Sequence, residues 1–141
     1  MAAVIDTSVF VYAYDGRFPV KQARANAVLR DAVRTGQAWL PHQVLVEFVA
    51  AATRRRGNAP PILEPQEARL EAEQWMGLLP VLYPDDSVLR LAIRGAAAYG
   101  LSWSDAHLWA YAEHFGADEL WSEDFAHDRL YGRVRAVNPF V

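Results

Sequence analysis

The sequence predicts an α/β fold in which helices cover both faces of a central, mainly parallel β-sheet. Short apolar runs alternate along the chain with longer segments of helical periodicity. Strands that alternate with helices usually pair in parallel through right-handed crossovers. The length of 141 residues, of which 52% are hydrophobic, suffices for one buried core. We therefore expect a single domain over residues 1–141.

The first half of the chain is predicted to form two strand–helix units. Residues 2–6 are a short apolar run that ends in the polar turn sequence Asp6-Thr7-Ser8, which indicates a strand. A helix should run from Pro19 to Gly36, because proline suits a first helical turn and glycine ends helices. A second strand over residues 37–40 then precedes a helix from Pro41 to Gly57.

The second half repeats this alternation after a loop that we expect to be mobile, Gly57 to Pro61. Asp86 and Ser87 can cap one helix, and the spacing of Ser102 and Asp105 is that of a capping box. The predicted elements are helices over about 65–77, 86–99 and 102–116 and strands over 81–83, 120–121 and 134–137.

Several functional classes are excluded by residues that the sequence lacks. The absence of cysteine excludes disulfides, zinc ribbons, iron–sulfur clusters and thiol nucleophiles. A dinucleotide-binding glycine fingerprint, a Gly-Lys-Ser/Thr phosphate loop and a Gly-x-Ser-x-Gly nucleophile motif are absent too. The four histidines form no metal-ligand motif. Carboxylates are therefore the main candidates for a functional site.

The charge is unevenly distributed between the two halves of the chain. Residues 1–60 hold 8 basic and 4 acidic groups (+4), whereas residues 61–141 hold 6 and 13 (−7), which gives the net charge of −3. A negative net charge argues against non-specific coating of nucleic acid, but it allows a local basic patch beside an acidic site. The longest segment without a formal charge, residues 35–46, is too short for a membrane span of roughly 20 residues. We expect a cytoplasmic protein without membrane association.

Four acidic residues stand at positions where function is plausible. Asp6 ends an apolar strand, so its side chain should emerge at the ligand-binding edge of the sheet. Glu47 lies in a strongly apolar segment, where burial would require a compensating cation or hydrogen bonds. Asp105 begins a late helix, and Asp124 follows a late strand.

Each of these acids also has a structural interpretation. Asp6 could form an Asx turn, and capping of its helix could be the sole role of Asp105. Glu47 shares a helical face with Gln43, Ala51 and Arg54, which could be an exposed polar stripe. Asp124 could be an ordinary loop acid, with Glu123 and Asp128 as rivals.

Taken together, four motifs make the sequence resemble the PIN-domain ribonucleases, especially the VapC toxins of prokaryotic toxin–antitoxin pairs. The resemblance covers nearly the whole chain and fits a PIN-like α/β/α sandwich of this length. It depends on the order and spacing of Val4-Ile5-Asp6-Thr7-Ser8, Val46-Glu47-Phe48, Leu101-Ser102-Trp103-Ser104-Asp105-Ala106 and Trp121-Ser122-Glu123-Asp124-Phe125.

The resemblance implies a metal-dependent endoribonuclease. Asp6, Glu47, Asp105 and Asp124 would hold Mg²⁺ or Mn²⁺, with Ser8 and Ser122 as polar supports. Ser122 stands where relatives often carry threonine. Metal-bound water would then attack an RNA phosphodiester in line and leave a 5′-phosphate and a 3′-hydroxyl. Physical chemistry is compatible with this, since two carboxylates about 4 Å apart repel by about 4 kcal/mol at an effective dielectric constant near 20 and a hard cation removes that strain.

The resemblance also implies partners, namely RNA, a VapB-like antitoxin and a second copy of the chain in a homodimer. Candidate contacts with the RNA backbone are Arg17, Lys21, Arg24 and the run Arg54-Arg55-Arg56, although such residues can be a solvated surface. Tyr12, Trp103 and Phe125 could stack on bases or belong to the core.

Two alternatives within the family remain, a PIN nuclease of RNA maturation or decay without an antitoxin and an inactive PIN-like RNA-binding or interaction module. Outside the family, an aspartyl-phosphate phosphatase requires an aspartate at position 8, where serine stands, and a phosphorylated receiver domain requires a late lysine that this chain lacks.

Overall fold

The computed structural model describes residues 1–141 and contains six strands and six helices. In chain order they are β1 (Ala3–Ile5), α1 (Thr7–Ala13), α2 (Pro19–Thr35), β2 (Ala38–Pro41), α3 (His42–Ala52), α4 (Pro65–Leu78), β3 (Val81–Leu82), α5 (Asp86–Tyr99), α6 (Trp103–Phe115), β4 (Glu119–Trp121), β5 (Leu130–Tyr131) and β6 (Val134–Val137). None of the helices combines the length and the apolar character needed to cross a bilayer.

The strands form one sheet in the order β3-β2-β1-β4-β6-β5. Every neighbouring pair is parallel except β5 and β6. Helices on both sides complete three α/β/α layers, which confirms the predicted fold class. The strand β1 lies in the interior of the sheet beside β4, and Ile5 pairs with Trp121. The residues that follow these two strands, Asp6 and Ser122, therefore emerge together at one edge.

The sequence does not predict helix α1, because Asp6-Thr7-Ser8 is typical of a turn. Asp6 keeps an extended backbone and occupies the position just before the helix. The helix forms because Val9, Phe10 and Ala13 all point into the core. The antiparallel strand β5 was also missed, since two residues carry no detectable periodicity.

Helix α3 ends at Ala52, so the prediction that it continues to Gly57 is wrong. The helix terminates at Thr53, and the backbone N–H of Leu63 donates a hydrogen bond to the Ala52 carbonyl at 2.9 Å. The run Arg54–Arg56 consequently lies in the loop after the helix. This loop turns sharply at Gly57, whose φ is +60°, and it is closed by a hydrogen bond from Ala59 N to Arg56 O at 3.1 Å.

The entry to α5 is capped one residue earlier than predicted, because Asp85 Oδ1 accepts hydrogen bonds from Ser87 N and Val88 N. The entry to α6 is as predicted, since Ser102 Oγ accepts from Asp105 N at 3.1 Å.

Helix α6 is held in place by close packing against α5. A β-carbon at Gly95 would lie 2.6 Å from the Trp109 ring, so only glycine permits this approach. The indole of Trp109 donates to the Tyr131 carbonyl at 2.9 Å. These contacts hold α6 against the rest of the fold, and the first turn of this helix carries Asp105.

Candidate active site

Three aspartates from distant parts of the chain converge at the edge of the sheet. Asp6 follows β1, Asp105 lies in the first turn of α6, and Asp124 follows β4. One carboxylate oxygen from each lies within 4.8 Å of the other two. We call these three residues the acidic cluster. They line a cavity of about 430 Å³ together with Glu47.

Asp6 is the most buried member of the acidic cluster, with 7% of its surface exposed. Burial raises the pKa of its carboxyl from 3.8 to about 7, and the negative charges of Asp124 and Asp105 add to the increase. The fully buried Ser122 opposes this shift by donating its hydroxyl to Asp6 Oδ2 at 2.6 Å. Ser122 Oγ also accepts from Asp124 N at 3.1 Å, so one hydroxyl contacts two members of the cluster.

Asp105 is less enclosed than Asp6 but experiences the same electrostatic repulsion. Burial is the main cause that raises the pKa of its carboxyl, and the charges of Asp124 and Glu47 raise the pKa further. Ser102 partly opposes the shift. The fold therefore disfavours full ionisation of the cluster.

Glu47 borders the same cavity but lies outside the acidic cluster. Its Oε1 accepts from Gln43 Nε2 at 2.7 Å and from Ser104 Oγ at 2.8 Å. Its Oε2 accepts from Thr7 Oγ1 at 3.0 Å. The three donors stabilise the carboxylate and hold it at the cavity wall. Glu47 therefore faces the cavity, and the interpretation as an exposed polar stripe does not describe it.

Ser8 does not have the hydrogen bonds expected of a polar support. Its side chain lines the cavity, but its buried Oγ has no hydrogen-bond partner. The hydroxyl that acts as a support in this motif is that of the preceding residue, Thr7, which donates a hydrogen bond to Glu47. Sequence analysis missed Thr7 because the motif offers two adjacent hydroxyls and only the start of α1 decides which one faces Glu47.

The donor set of the acidic cluster fits a hard divalent cation. It consists only of carboxylate oxygens, the ligands that Mg²⁺ and Mn²⁺ favour. Close repulsion among the aspartates would be relieved by positive charge, and the unpaired hydroxyl of Ser8 beside them leaves room for one more polar partner. No Lys, Arg or His forms an ion pair with any of the three aspartates.

The rival acids Glu123 and Asp128 lie outside the cluster. Glu123 Oε2 pairs with Lys21 Nζ at 2.7 Å, and its Oε1 accepts from Tyr12 Oη at 3.0 Å. Asp128 lies 3.5 Å from His127 Nε2 and has a left-handed backbone with φ of +65°. Of the three candidates after β4, only Asp124 joins Asp6 and Asp105.

The structure divides the candidate RNA-binding residues into two groups. Arg17 and Arg56 line the acidic cavity, and with Arg54 they line a second cavity beside it. The other three candidates line neither cavity: Lys21 pairs with Glu123, Arg24 donates to the Pro139 carbonyl at 2.6 Å, and Arg55 is exposed.

The candidate stacking aromatics are similarly divided. Tyr12 lines the acidic cavity, and its ring lies under Lys21 Nζ at 4.7 Å. Trp103 is exposed and packs edge-on against His107. Phe125 is buried in the core, so it offers no surface for base stacking.

Comparison with known proteins identifies the family of this fold. The family model described as PIN domain matches residues 3–133, which includes all four predicted acidic residues. The comparison with curated proteins gives no match at the significance required.

Three solved structures illustrate the likeness. A toxin–antitoxin complex from Klebsiella pneumoniae is 17% identical, with 98% of each chain covered and a TM-score of 0.70. DNA-bound VapBC from Salmonella typhimurium is also 17% identical, with 96% and 98% covered and a TM-score of 0.61. VapC20 of Mycobacterium tuberculosis, a toxin that cleaves the sarcin–ricin loop, is 14% identical, with 84% and 87% covered and a TM-score of 0.60. With the family model over residues 3–133, these folds support one conclusion: the chain belongs to the PIN domain family.

Proposed function

We propose that this protein is an endoribonuclease that depends on Mg²⁺ or Mn²⁺ and acts as the toxin of a toxin–antitoxin pair. The observation that carries the proposal is the acidic cluster. Three carboxylates approach within 4.8 Å without a cationic partner, whereas nearby Asp15 and Glu123 each pair with a basic side chain. Such uncompensated charge on a PIN domain is best accounted for by a bound metal ion.

In this proposal Asp6, Asp105 and Asp124 hold the metal directly, and Glu47 acts from the cavity wall. A bound divalent cation would lower the pKa of a water molecule and neutralise charge on the phosphoryl oxygens. Ser122 keeps Asp6 and Asp124 in place through its two hydrogen bonds. Hydrolysis would break the bond between phosphorus and the 3′-oxygen, leaving a 5′-phosphate and a 3′-hydroxyl.

The toxin role is supported by the similarity of this fold to solved structures of toxins. The similar structures include toxin–antitoxin complexes and a separate toxin that cleaves the sarcin–ricin loop. We therefore propose RNA as substrate, a VapB-like antitoxin as inhibitor and a cytoplasmic homodimer as the working form, with residues 1–141 as its single PIN domain.

The catalytic proposal is tested by incubating the purified protein with total tRNA and rRNA in Mn²⁺, in Mg²⁺ and in EDTA, and sequencing the fragment ends. Asp6→Asn and Asp105→Asn are the site variants, and Glu123→Gln is the matched control because it also removes one carboxylate. We expect discrete cuts that require metal, disappear in both site variants and persist in the control. Cuts that persist in Asp6→Asn and Asp105→Asn would contradict the proposal.

The toxin role has a separate test, expression in a bacterial host. Growth arrest that Asp105→Asn abolishes would support it. Normal growth with active, well-expressed protein would instead favour a nuclease of RNA maturation or decay.

A further inference from the structure

A second cavity adjoins the acidic one and has the opposite character. Its volume is about 300 Å³, and three guanidinium groups, those of Arg17, Arg54 and Arg56, contribute to its lining. Arg17, Arg56 and Asp15 line both cavities, so the two are adjacent. We call the second cavity the arginine pocket.

Arg17 is fixed in position before any ligand arrives. Its Nε and a terminal nitrogen donate to the two carboxylate oxygens of Asp15 at 2.8 and 2.7 Å, and its backbone N–H donates to Asp15 Oδ1 at 3.1 Å. The Asp15 side chain is only 5% exposed, whereas that of Arg17 is 49% exposed. The pair therefore presents a guanidinium of fixed orientation at the junction of the two cavities.

The other side of the pocket is built by the turn that follows α3. The hydrogen bond from Ala59 N to Arg56 O closes this turn, and the left-handed Gly57 allows it. The buried Pro61 anchors the segment that leads back to α4. Arg56 is thus presented by a defined turn.

The charge of the pocket indicates an anionic ligand. Asp15 is its only carboxylate and is already paired with Arg17. Neither Arg54 nor Arg56 has a carboxylate partner anywhere in the structure. Two unpaired guanidinium groups around a concave surface are a good match for phosphate oxygens, which arginine binds through paired N–H donors.

The position of the arginine pocket indicates which phosphate of the substrate it binds. A substrate whose scissile phosphodiester lies at the acidic cluster must extend its chain away from that cavity, and the arginine pocket lies directly beside it, with three lining residues in common. We propose that the arginine pocket binds a backbone phosphate of the RNA other than the scissile one, on one side of the cleavage point. This inference deepens the proposed function and rests on it. It means that the enzyme requires nucleotides on that side and binds the strand in one direction.

The test uses a short single-stranded RNA that contains one cleavage site, in which each phosphate except the scissile one is replaced in turn by an uncharged methylphosphonate. We expect one replacement to raise KM about tenfold with kcat unchanged, because it removes a charge-assisted contact of the ground state. In Arg54→Gln and Arg56→Gln the KM for the unmodified RNA should already be raised. The same replacement should then have little further effect, since the two partners of one contact are not additive.

Arg30→Gln is the matched control, since Arg30 is an exposed arginine of α2 that lines neither cavity. It should keep the wild-type response to every replacement. If Arg54→Gln and the wild type are equally sensitive to all replacements, the arginine pocket does not bind a backbone phosphate. The same conclusion follows if the wild-type enzyme tolerates every replacement.

A binding measurement separates failure of the pocket from failure of the proposed function. In the Asp105→Asn background, fluorescence anisotropy with the same RNA should show that Arg54→Gln reduces the slope of log K against log salt by about one. An unchanged slope would overturn the pocket even if metal-dependent cleavage is found. A reduced slope without any cleavage by the wild type would support phosphate binding by the arginine pocket and contradict the proposed ribonuclease activity.

Discussion

Glu123 and Asp124 are adjacent in sequence but belong to regions of opposite electrostatics. Glu123 joins Lys21, Tyr12 and Phe140 in what we call the lysine cage. There Lys21 Nζ lies 2.7 Å from Glu123 Oε2 and over the rings of Tyr12 and Phe140 at 4.7 and 5.5 Å. Asp124 turns the other way into the acidic cluster, which holds only carboxylates.

The difference shows that uncompensated negative charge is confined to one place around the cavity. Asp15 pairs with Arg17, Glu123 pairs with Lys21, and Glu47 accepts three hydrogen bonds. Only the acidic cluster is left with mutual repulsion and with raised pKa values at Asp6 and Asp105. The lysine cage removes a fourth carboxylate that would otherwise compete with Asp124. Substitutions in the two regions should therefore have very different effects.

The largest difference is expected in cleavage. Asp6→Asn should reduce RNA hydrolysis roughly a thousandfold, since it removes a ligand of the proposed cation, which would supply several kcal/mol of transition-state stabilisation. Glu123→Gln should stay within about threefold of the wild type, because that charge contacts Lys21. Initial rates on one oligoribonucleotide in Mn²⁺ measure both. Equal losses in the two variants would contradict the distinction between the regions.

A smaller difference is expected in the pH dependence of stability without metal. The pKa of Asp6 is 3.8 ordinarily and about 7 in the fold, so between these values the folded state holds a proton that the unfolded state has released. The free energy of unfolding should therefore fall as pH rises from about 4 to about 7, by on the order of 3 to 4 kcal/mol from this group. Urea titrations in EDTA measure the slope.

Asp6→Asn provides the control for that slope, because an amide does not titrate. We expect the variant to be as stable as the wild type or more stable at pH 7, with a flatter profile. If the variant retains the full slope, Asp6 is not its cause.

Metal binding should stabilise the acidic cluster by a comparable or smaller amount. At a hundred times Kd, Mg²⁺ or Mn²⁺ should add about 2.7 kcal/mol to the free energy of unfolding, or about 8 °C in Tm for a chain of this size. Asp105→Asn should lose most of this gain, and Lys21→Met should keep it. A metal-independent Tm in the wild-type protein would exclude the proposed site.

The smallest effect is expected in the lysine cage itself. Lys21→Met should lower the free energy of unfolding by less than about 1 kcal/mol, since the ion pair is partly exposed. It should change KM for RNA by less than about twofold, because Lys21 is already engaged with Glu123 and lines neither cavity. A large increase in KM with an unchanged Tm would place Lys21 at the RNA after all. Thermal melts and steady-state kinetics give both quantities.

Apolar periodicity, together with proline and glycine at the ends of segments, predicted most of the helices and strands but not all of their first and last residues. The parallel strands and the long helices follow from apolar spacing with proline or glycine at the ends, and these signals are local. Helix α1 was missed because burial of Val9 and Phe10 outweighs the local turn preference. The predicted end of α3 was wrong because the helix stops at Ala52, whose carbonyl accepts a hydrogen bond from Leu63 N. The resemblance to PIN-domain ribonucleases implied that Asp6, Glu47, Asp105 and Asp124 converge. Three of them, Asp6, Asp105 and Asp124, form the acidic cluster, whereas Glu47 lines the same cavity outside it.

The sequence by itself determined the α/β alternation, the PIN resemblance and the set of acids available to a site. Only the tertiary structure decided that Asp124 and not Glu123 faces the cavity, that Thr7 and not Ser8 contacts Glu47, and that three arginines surround a second cavity. The physical reason is that these choices depend on partners far away in sequence. Lys21, which holds Glu123, is 102 residues from it, and no local pattern records which of two neighbouring side chains such a partner will bind.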